Sequence, residues 1–431
     1  MDLPFLVVGD EEGNIFEIED YFMTGASLGV PRLPREEEII QLPYGSNLFL
    51  LPGRKAVGYD RKRKEIRVVK EYRGRPVTAA AAFMAPAYLQ YLGAAFESDP
   101  GAETLPLYSY TALGWRNGSF QVPAVRIDPD TRQDLVNMKE RTIEGGAKRL
   151  LKRYPGNRLI RHLVDNCIRR YCCPAARNLA LNRWEAPVPT SPYCNARCLG
   201  CLSFQPEESG IPSSQNRLNF VPKPEEVVEF TLPHLEDAPR AVISFGQGCE
   251  GEPLLVGDLL AEVILSLRKK TNRGIVNLNT NASLPEIVER LCRAGLDSIR
   301  VSINSAQGEF YTAYYNPQGY TFTQVLESMK IAREHKIWIS LNYFMVPGFT
   351  DWEEEYAALS SLITRYKVDM IQTRNFNYDP EIYPRQIGLP DRGSSKTLGL
   401  YQWVRRIREE HPGILLGYFN PSRERMEEIR D

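Results

Sequence analysis

The sequence predicts an α/β protein. A parallel, barrel-like sheet occupies the C-terminal half, a separate β-rich module the N-terminus, and a helical connector the stretch between them. Three observations predict this. From about Trp184, short apolar runs alternate with helical stretches at the spacing of strand–helix units. The first 130 residues instead carry short alternating segments broken by Gly, Pro and Asp. Residues 131–183, rich in Arg and Lys, read as helices.

In the module, residues 5–8 end at Gly9-Asp10, and residues 14–18 alternate as a strand does. Residues 47–51 end at Pro52-Gly53, residues 56–59 and 65–69 flank a charged turn and read as a hairpin, and residues 119–126 alternate again. Residues 77–96 carry no charge and approach the length of a membrane span. Pro86 and Gln90 interrupt them, so this alanine-rich run reads as a buried helix or helix pair, a helical insert in the module. Helices are expected at 131–141, 146–154 and 157–171, the last running into Cys167, Cys172 and Cys173. Strands follow at 241–245, 275–279, 298–303, 337–344 and 369–373. Helices are expected at 259–270, at 284–294 with Gly295 as the stop, at 325–335 and at 398–411, and Thr350 with Glu353 reads as a capping box. The segments are therefore 1–130, 131–183 and 184–431. In parallel folds of this kind ligands gather at the carboxyl ends of the strands.

Bulk properties narrow the function classes. The chain has 431 residues, room for two or three domains, and its 43% hydrophobic and 25% charged content is ordinary globular usage. A net charge of −1 supplies no footprint for nucleic acid or an anionic membrane. Basic runs at 61–64 and 268–270 read as solvated faces. The start shows no basic stretch followed by an apolar one, so no secretory signal is read. Eight cysteines without such a signal argue for a reducing compartment, the cytoplasm, and for metal or redox work rather than disulfides.

The most specific chemistry lies in Cys194, Cys198 and Cys201, spaced C-x3-C-x2-C. Three soft thiolates on one short loop hold three corners of an iron–sulfur cluster and leave a fourth iron open. A structural zinc site competes. Zinc needs a fourth ligand, and Cys249, Cys292, His234 and His335 are on offer, none in a close pair. After the 241–245 strand comes a glycine-rich turn ending in Gly251, Glu252 and Pro253, where Glu252 is placed to accept a bond from an ammonium group. Asn279 and Asn281 follow the next strand. Ser302 and Asn304 share one parity on or after the strand at 298–303 and so are expected to face the barrel interior together. Tyr343, residues 347–349 and residues 372–375 are expected to complete the pocket.

The cysteine spacing resembles the signature loop of the radical S-adenosylmethionine (radical SAM) superfamily, and the later segments resemble that family's motifs in the order it has them. The resemblance covers about residues 190–380 and implies a partial (β/α)6 TIM-like barrel. It implies that Cys194, Cys198 and Cys201 ligate a [4Fe-4S] cluster whose open iron binds S-adenosylmethionine. It implies that Gly251, Glu252 and Pro253 hold the cofactor's amino group, with Asn279, Asn281, Ser302 and Asn304 lining the pocket. Reductive cleavage of the cofactor would give a 5′-deoxyadenosyl radical that abstracts hydrogen from the substrate, with an electron from a reductant such as flavodoxin or ferredoxin. The family often has an aromatic residue before the third cysteine, where this chain has Gly200, and many relatives have aspartate at the position of Asn304.

Further residues carry open roles. Cys167, Cys172 and Cys173 are candidate ligands of an auxiliary metal or cluster, with Cys249 a candidate fourth, or else buried apolar thiols. Cys249, three residues before Glu252, is also a candidate catalytic hydrogen donor, whereas Cys292 reads as core. The aromatic-dense stretch 311–320 includes Tyr314 as a candidate catalytic residue that stacks on substrate or shields a radical from water. The size of the module suggests a large substrate or partner, a peptide or protein, with no membrane partner. Two other functions compete: an RNA-modifying radical SAM enzyme, which the near-zero charge disfavours, and a zinc-bearing, non-catalytic binding protein.

Overall fold

The structure, a computed structural model, describes residues 2–390 and 397–430. Met1, residues 391–396 and Asp431, which the segments above include, lie outside the described residues.

Seven parallel strands form the C-terminal sheet, in sequential order: β1 (Glu185–Val188), β2 (Val242–Phe245), β3 (Ile275–Thr280), β4 (Ser298–Ile303), β5 (Trp338–Met345), β6 (Met370–Asn375) and β7 (Leu415–Gly417). This is the expected partial barrel with one short extra strand at its far edge. β1 and β7 are not paired. Asn420, just past β7, bridges the gap by donating to Glu185 of β1 and to Ser244 of β2.

The connector packs α1 (Glu140–Arg153), α2 (Arg158–His162) and α3 (Pro174–Ala180) against the barrel, with a π-helical stretch, Leu163–Arg170, continuing α2. The crossover helices follow: α4 (Pro224–Asp237), α5 (Gly257–Arg268), α6 (Pro285–Ala294), α7 (Gly308–Tyr315), α8 (Phe322–Glu334) and α9 (Glu353–Tyr366). α10 (Tyr383–Gln386), α11 (Leu400–Glu410) and α12 (Arg423–Arg430) complete the chain. α6 stops at Gly295, whose φ of 110° is a left-handed cap that glycine takes without strain. No helix among the described residues is long and apolar enough to cross a membrane.

The N-terminal module is an antiparallel assembly in which Phe5–Gly9 pairs with Ile15–Met23, Thr78–Phe83 and Gly114–Arg116. The predicted hairpin forms between Arg54–Asp60 and Glu65–Val69. The uncharged run at 77–96 is not helical. It contributes the strands Thr78–Phe83, Tyr88–Gln90, Gly93–Ala94 and the start of Phe96–Ser98. Alternation explains why. Ala79 and Ala81 face one apolar cluster, and Ala80 and Ala82 face another on the opposite side. A strand buried on both faces needs apolar residues at every position, and packing overrides alanine's helix propensity.

Two other expectations fail locally. Residues 131–139 hold only a short 3-10 turn at Leu135–Asn137 before α1 begins. Thr350 does not cap α9: its hydroxyl accepts from the Val346 amide and donates to the Phe344 carbonyl, and the cap residue is Trp352.

The module docks on the loops that follow β5, β6 and β7. Asn375 at the end of β6 accepts from the Gln90 amide at 2.9 Å and donates to the Tyr88 carbonyl at 2.9 Å. Arg54 meets Asp379 in an ion pair whose side chains are 3% and 1% exposed, so the pair is fully withdrawn from water. The Asp128 carboxylate accepts from the Tyr418 and Phe419 amides. The module is therefore fastened beside the carboxyl ends of the strands, and none of its described residues lines the cavity at those ends.

Candidate active site

A cavity of about 230 Å³ opens at the carboxyl ends of the barrel strands. Its lining comes from the cysteine loop after β1, the 246–253 turn after β2, Asn279, Thr280 and Asn281 at β3, Arg300 and Ser302 on β4, Asn342 and Phe344 on β5, and Arg374 on β6. Strand parity places these side chains, because alternate residues of a barrel strand point inward.

Cys194, Cys198 and Cys201 all line this cavity. The segment around α7 braces their loop from behind. Arg197 and Leu199 donate their amides to the Tyr315 and Tyr314 carbonyls at 3.0 Å each, and Gln318 donates to the Asn195 carbonyl at 2.8 Å. Burial pushes the Cys194 thiol up to about 11, with the Glu252 charge next in effect. Burial also raises Cys198, followed by the charges of Cys201 and Cys194. Three thiolates crowded this way penalise one another until a cation joins them. Arg217 already donates to the Cys201 sulfur at 3.4 Å. A single tetrahedral zinc is the competing occupant. Two sulfurs on one tetrahedral zinc lie about 3.8 Å apart, given arms of about 2.3 Å. Among the described residues, the set of three metal-ligating groups that lie within 4.8 Å of one another is outside this loop. His234, a candidate fourth zinc ligand, is bonded to the Trp184 carbonyl instead. The donor set fits a multi-iron cluster.

Gly200 has a structural reason. A Cβ there would lie 2.7 Å from the Tyr314 hydroxyl oxygen, so the space beside residue 200 is already filled from α7. Tyr314 lines the cavity, 7% exposed, and packs against Tyr315, Phe344 and Tyr383.

The 246–253 turn is held against the cysteine loop by its backbone. Gly251 and Glu252 donate their amides to the Ser191 and Tyr193 carbonyls at 2.7 Å each. A Cβ on Gly251 would lie 1.9 Å from the Tyr193 carbonyl oxygen, so only glycine permits this approach. The buried Glu252 carboxylate accepts from Thr280 Oγ1 at 2.5 Å, the Asn281 amide at 2.8 Å and the Leu254 amide at 3.1 Å, all neutral donors. Burial pushes it up to about 7 despite those bonds. A buried, uncompensated carboxylate facing a cavity fits a ligand ammonium. Across the cavity, burial lowers the Arg300 guanidinium to about 10. Its Nη1 donates to Gln372 at 2.7 Å, and its buried Nε has no partner among the described residues. That guanidinium fits a ligand carboxylate.

Several expected residues stand elsewhere. Asn304 lies beyond the end of β4, where strand parity no longer applies, and donates to the Phe310 carbonyl in α7. Ser302 alone of that pair lines the cavity. Tyr343 faces outward and donates to Glu355, leaving Asn342 and Phe344 to face the ligand. Phe349 is core, and Asn375 serves the docked module. Cys249 turns away from the cavity toward Cys167, 3.8 Å between sulfurs, so it is not placed to donate hydrogen there. Cys172 is exposed, and Cys292 is core as expected.

Sequence reasoning missed Arg217 and Glu250, whereas Arg374, from the expected stretch 372–375, does line the cavity. Glu250 is a buried carboxylate that accepts from the Thr190, Ser191 and Gln247 amides and ties the turn to β1. Its signal was local: a second glutamate two residues before Glu252 on the same turn. Arg217 lies in a stretch with no strand or helix pattern and carried no such signal.

Residues 188–359 match the family model for the radical SAM superfamily. No curated protein matches the sequence. Among solved structures, the chain resembles anSMEcpe with bound AdoMet at 18% identity and a TM-score of 0.35, covering 44% of this chain and 52% of that one. It also resembles methylornithine synthase (PylB) at 11% identity and a TM-score of 0.37, covering 65% and 76% respectively. For Streptococcus suis SuiB bound to precursor peptide SuiA the identity is 16% and the TM-score 0.33, over 47% of this chain and 43% of that one. The chain thus spans about half the length of the first of these structures.

Proposed function

We propose, for a chain whose residues 188–359 are a radical SAM domain, that the cavity between the cysteine loop and β6 binds a [4Fe-4S] cluster and S-adenosylmethionine and directs a hydrogen abstraction onto a peptide or protein. The cofactors when bound supply the chemistry: reduction by an electron donor such as flavodoxin or ferredoxin cleaves S-adenosylmethionine, and the 5′-deoxyadenosyl radical takes a hydrogen atom.

The observation that carries this reading is the sharing of one cavity by the three thiols, the Glu252 carboxylate and the Arg300 guanidinium. Cys194, Cys198 and Cys201 hold three irons. Glu252 accepts from the ammonium of the ligand's methionine end, with Thr280 and the Asn281 amide fixing the carboxylate. Arg300, with Ser302 beside it, receives the carboxylate of the same end. Asn279 is held by its bond to the Gly246 carbonyl and lines the wall, whereas the Asn281 side chain donates through Nδ2 to Asn195 Oδ1 of the cysteine loop and positions that loop. Tyr314 and Phe344 exclude water from the reacting centre. Pro253 and Gly251 set the turn rather than touching the ligand through side-chain polar atoms.

A large substrate is supported by the rim. Tyr193 and Phe204, beside the cavity-lining Cys194 and Ser203, are 60% and 50% exposed, aromatic surface suited to an extended chain. The test is anaerobic turnover with peptides encoded beside the gene. A peptide substrate raises 5′-deoxyadenosine formation and changes in mass in step with it. Turnover that no peptide stimulates, with a small metabolite changed instead, contradicts the peptide assignment.

A further inference from the structure

A second group of soft ligands lies outside the cavity. One ring nitrogen of His162 and the sulfurs of Cys167 and Cys249 all lie within 4.8 Å of one another. The two cysteines are 82 positions apart in sequence, on different elements, and are 3% and 5% exposed. Their sulfurs are 3.8 Å apart. That is the edge of a tetrahedron with zinc–sulfur arms of about 2.3 Å.

The helix is wound to make this meeting. In an α-helix, residues five apart lie about 140° apart around the axis, since 3.6 residues make a turn. His162 ends α2, and the chain then runs through the π-helical stretch Leu163–Arg170. Bonds from i to i+5 widen the turn and bring His162 and Cys167 toward one face, and such winding is rare and frequent at functional sites. Two features of His162 point to a ligand. Its Nε2 is buried with no hydrogen bond of good geometry among the described residues, although the imidazole lies close enough to the Cys249 thiol to affect it. Its Nδ1 lies 3.1 Å from the Asn166 side-chain amide. As placed, Asn166 Nδ2 faces Nδ1; a half-turn of that amide on metal binding would bring Oδ1 to Nδ1–H and leave Nε2 its lone pair, the outer partner that metal-bound imidazoles have.

We propose that His162, Cys167 and Cys249 bind one divalent transition-metal ion, zinc in the first instance, at a site separate from the cavity. On binding, both thiols ionise, their two protons go to solvent, and the two thiolates balance the ion's two charges. No electron is transferred. Cys249 sits between Gly248 and Glu250, which line the cavity. The ion therefore fastens the turn that carries Glu252 to the connector helix. This replaces the expected auxiliary set: Cys172 is exposed, and Cys173, whose amide donates to the Cys167 carbonyl, lies outside the triad.

The proposal does not depend on chemistry in the cavity, and the test separates the two. A variant with Cys194, Cys198 and Cys201 all replaced by alanine cannot hold the cluster. Prepared anaerobically and stripped with chelator, it binds one equivalent of Zn²⁺ per chain with release of two protons, and Co²⁺ gives thiolate-to-metal charge-transfer absorption. In that background Cys167→Ser and His162→Gln each weaken zinc binding by more than about 100-fold, beyond the loss expected for an outer-shell change. Circular dichroism verifies that they fold, and where Cys167→Ser does not, His162→Gln and the Co²⁺ spectrum decide. The proposal is overturned if the parent binds neither ion, if both variants bind zinc unchanged, or if mass spectrometry finds Cys167 and Cys249 disulfide-linked in the anaerobic protein.

Discussion

Replacing Glu252 by Gln keeps the shape of the side chain and removes its charge. The carboxylate has three neutral donors around it and faces the cavity. A hydrogen bond to a charged group contributes about 1.5–3 kcal/mol, so losing one to a ligand ammonium weakens S-adenosylmethionine binding by about 10- to 150-fold. The pH dependence has a definite sign. Burial lifts the Glu252 carboxyl to about 7 in the folded, ligand-free protein, above its ordinary value of 4.5. The folded state thus holds this proton more tightly than the unfolded chain. Its contribution to stability is intact below about pH 4.5 and is lost as pH rises toward about 7. Below about pH 7 an incoming ammonium must displace that proton, so affinity falls by up to about tenfold per pH unit. Equilibrium dialysis of S-adenosylmethionine against cluster-loaded protein from about pH 6 to about pH 8 measures both effects. Wild type binds more tightly as pH rises to about 7 and then levels, and Glu252→Gln is weak and flat. A variant with unchanged iron content that binds within twofold of wild type, on the same pH profile, refutes the assignment of Glu252.

Other substitutions test the supporting geometry. Gly251→Ala places a methyl 1.9 Å from the Tyr193 carbonyl oxygen, which cannot yield without moving the cysteine loop, so thermal unfolding should show a loss of about 3 kcal/mol and iron loading should fall. Gly200→Ala crowds the Tyr314 hydroxyl at 2.7 Å, and Tyr314→Phe in the same chain should recover much of the loss, a coupling of about 1 kcal/mol in a double-mutant cycle. Arg54→Met strands the buried Asp379 carboxylate without its cation, at a cost of about 3–5 kcal/mol. Limited proteolysis should then cleave between module and barrel sooner than in wild type, and an unchanged cleavage rate would deny the pair a docking role.

What the sequence disclosed follows from how local each signal is. Cys194, Cys198 and Cys201 share one loop, so their spacing could be read directly. Glu252 stood after a strand in a glycine-rich turn, and the fold put it where strand-end logic predicted. The strands of the barrel were legible because sheets buried on both faces are written as apolar runs. Asn304 was misplaced because parity holds only while the chain stays extended, and β4 ends at Ile303. The run at 77–96 was misread because alanine's propensity is a weak guide when both strand faces are buried. The approach of Cys249 to Cys167 joins a turn to a π-helical stretch, and no pattern within either segment announces it. Gly200 looked like a missing aromatic, whereas the ring in that space comes from Tyr314, more than a hundred residues later.

Anaerobic reduction of the iron-loaded protein with S-adenosylmethionine, followed by quantification of 5′-deoxyadenosine and methionine, decides whether the cavity performs radical chemistry. Wild type should form both in equal amounts, and Cys198→Ala, depleted of iron, should form neither. A fully loaded wild-type protein that yields no 5′-deoxyadenosine, or a Cys198→Ala variant that keeps its iron and its cleavage, would contradict that assignment.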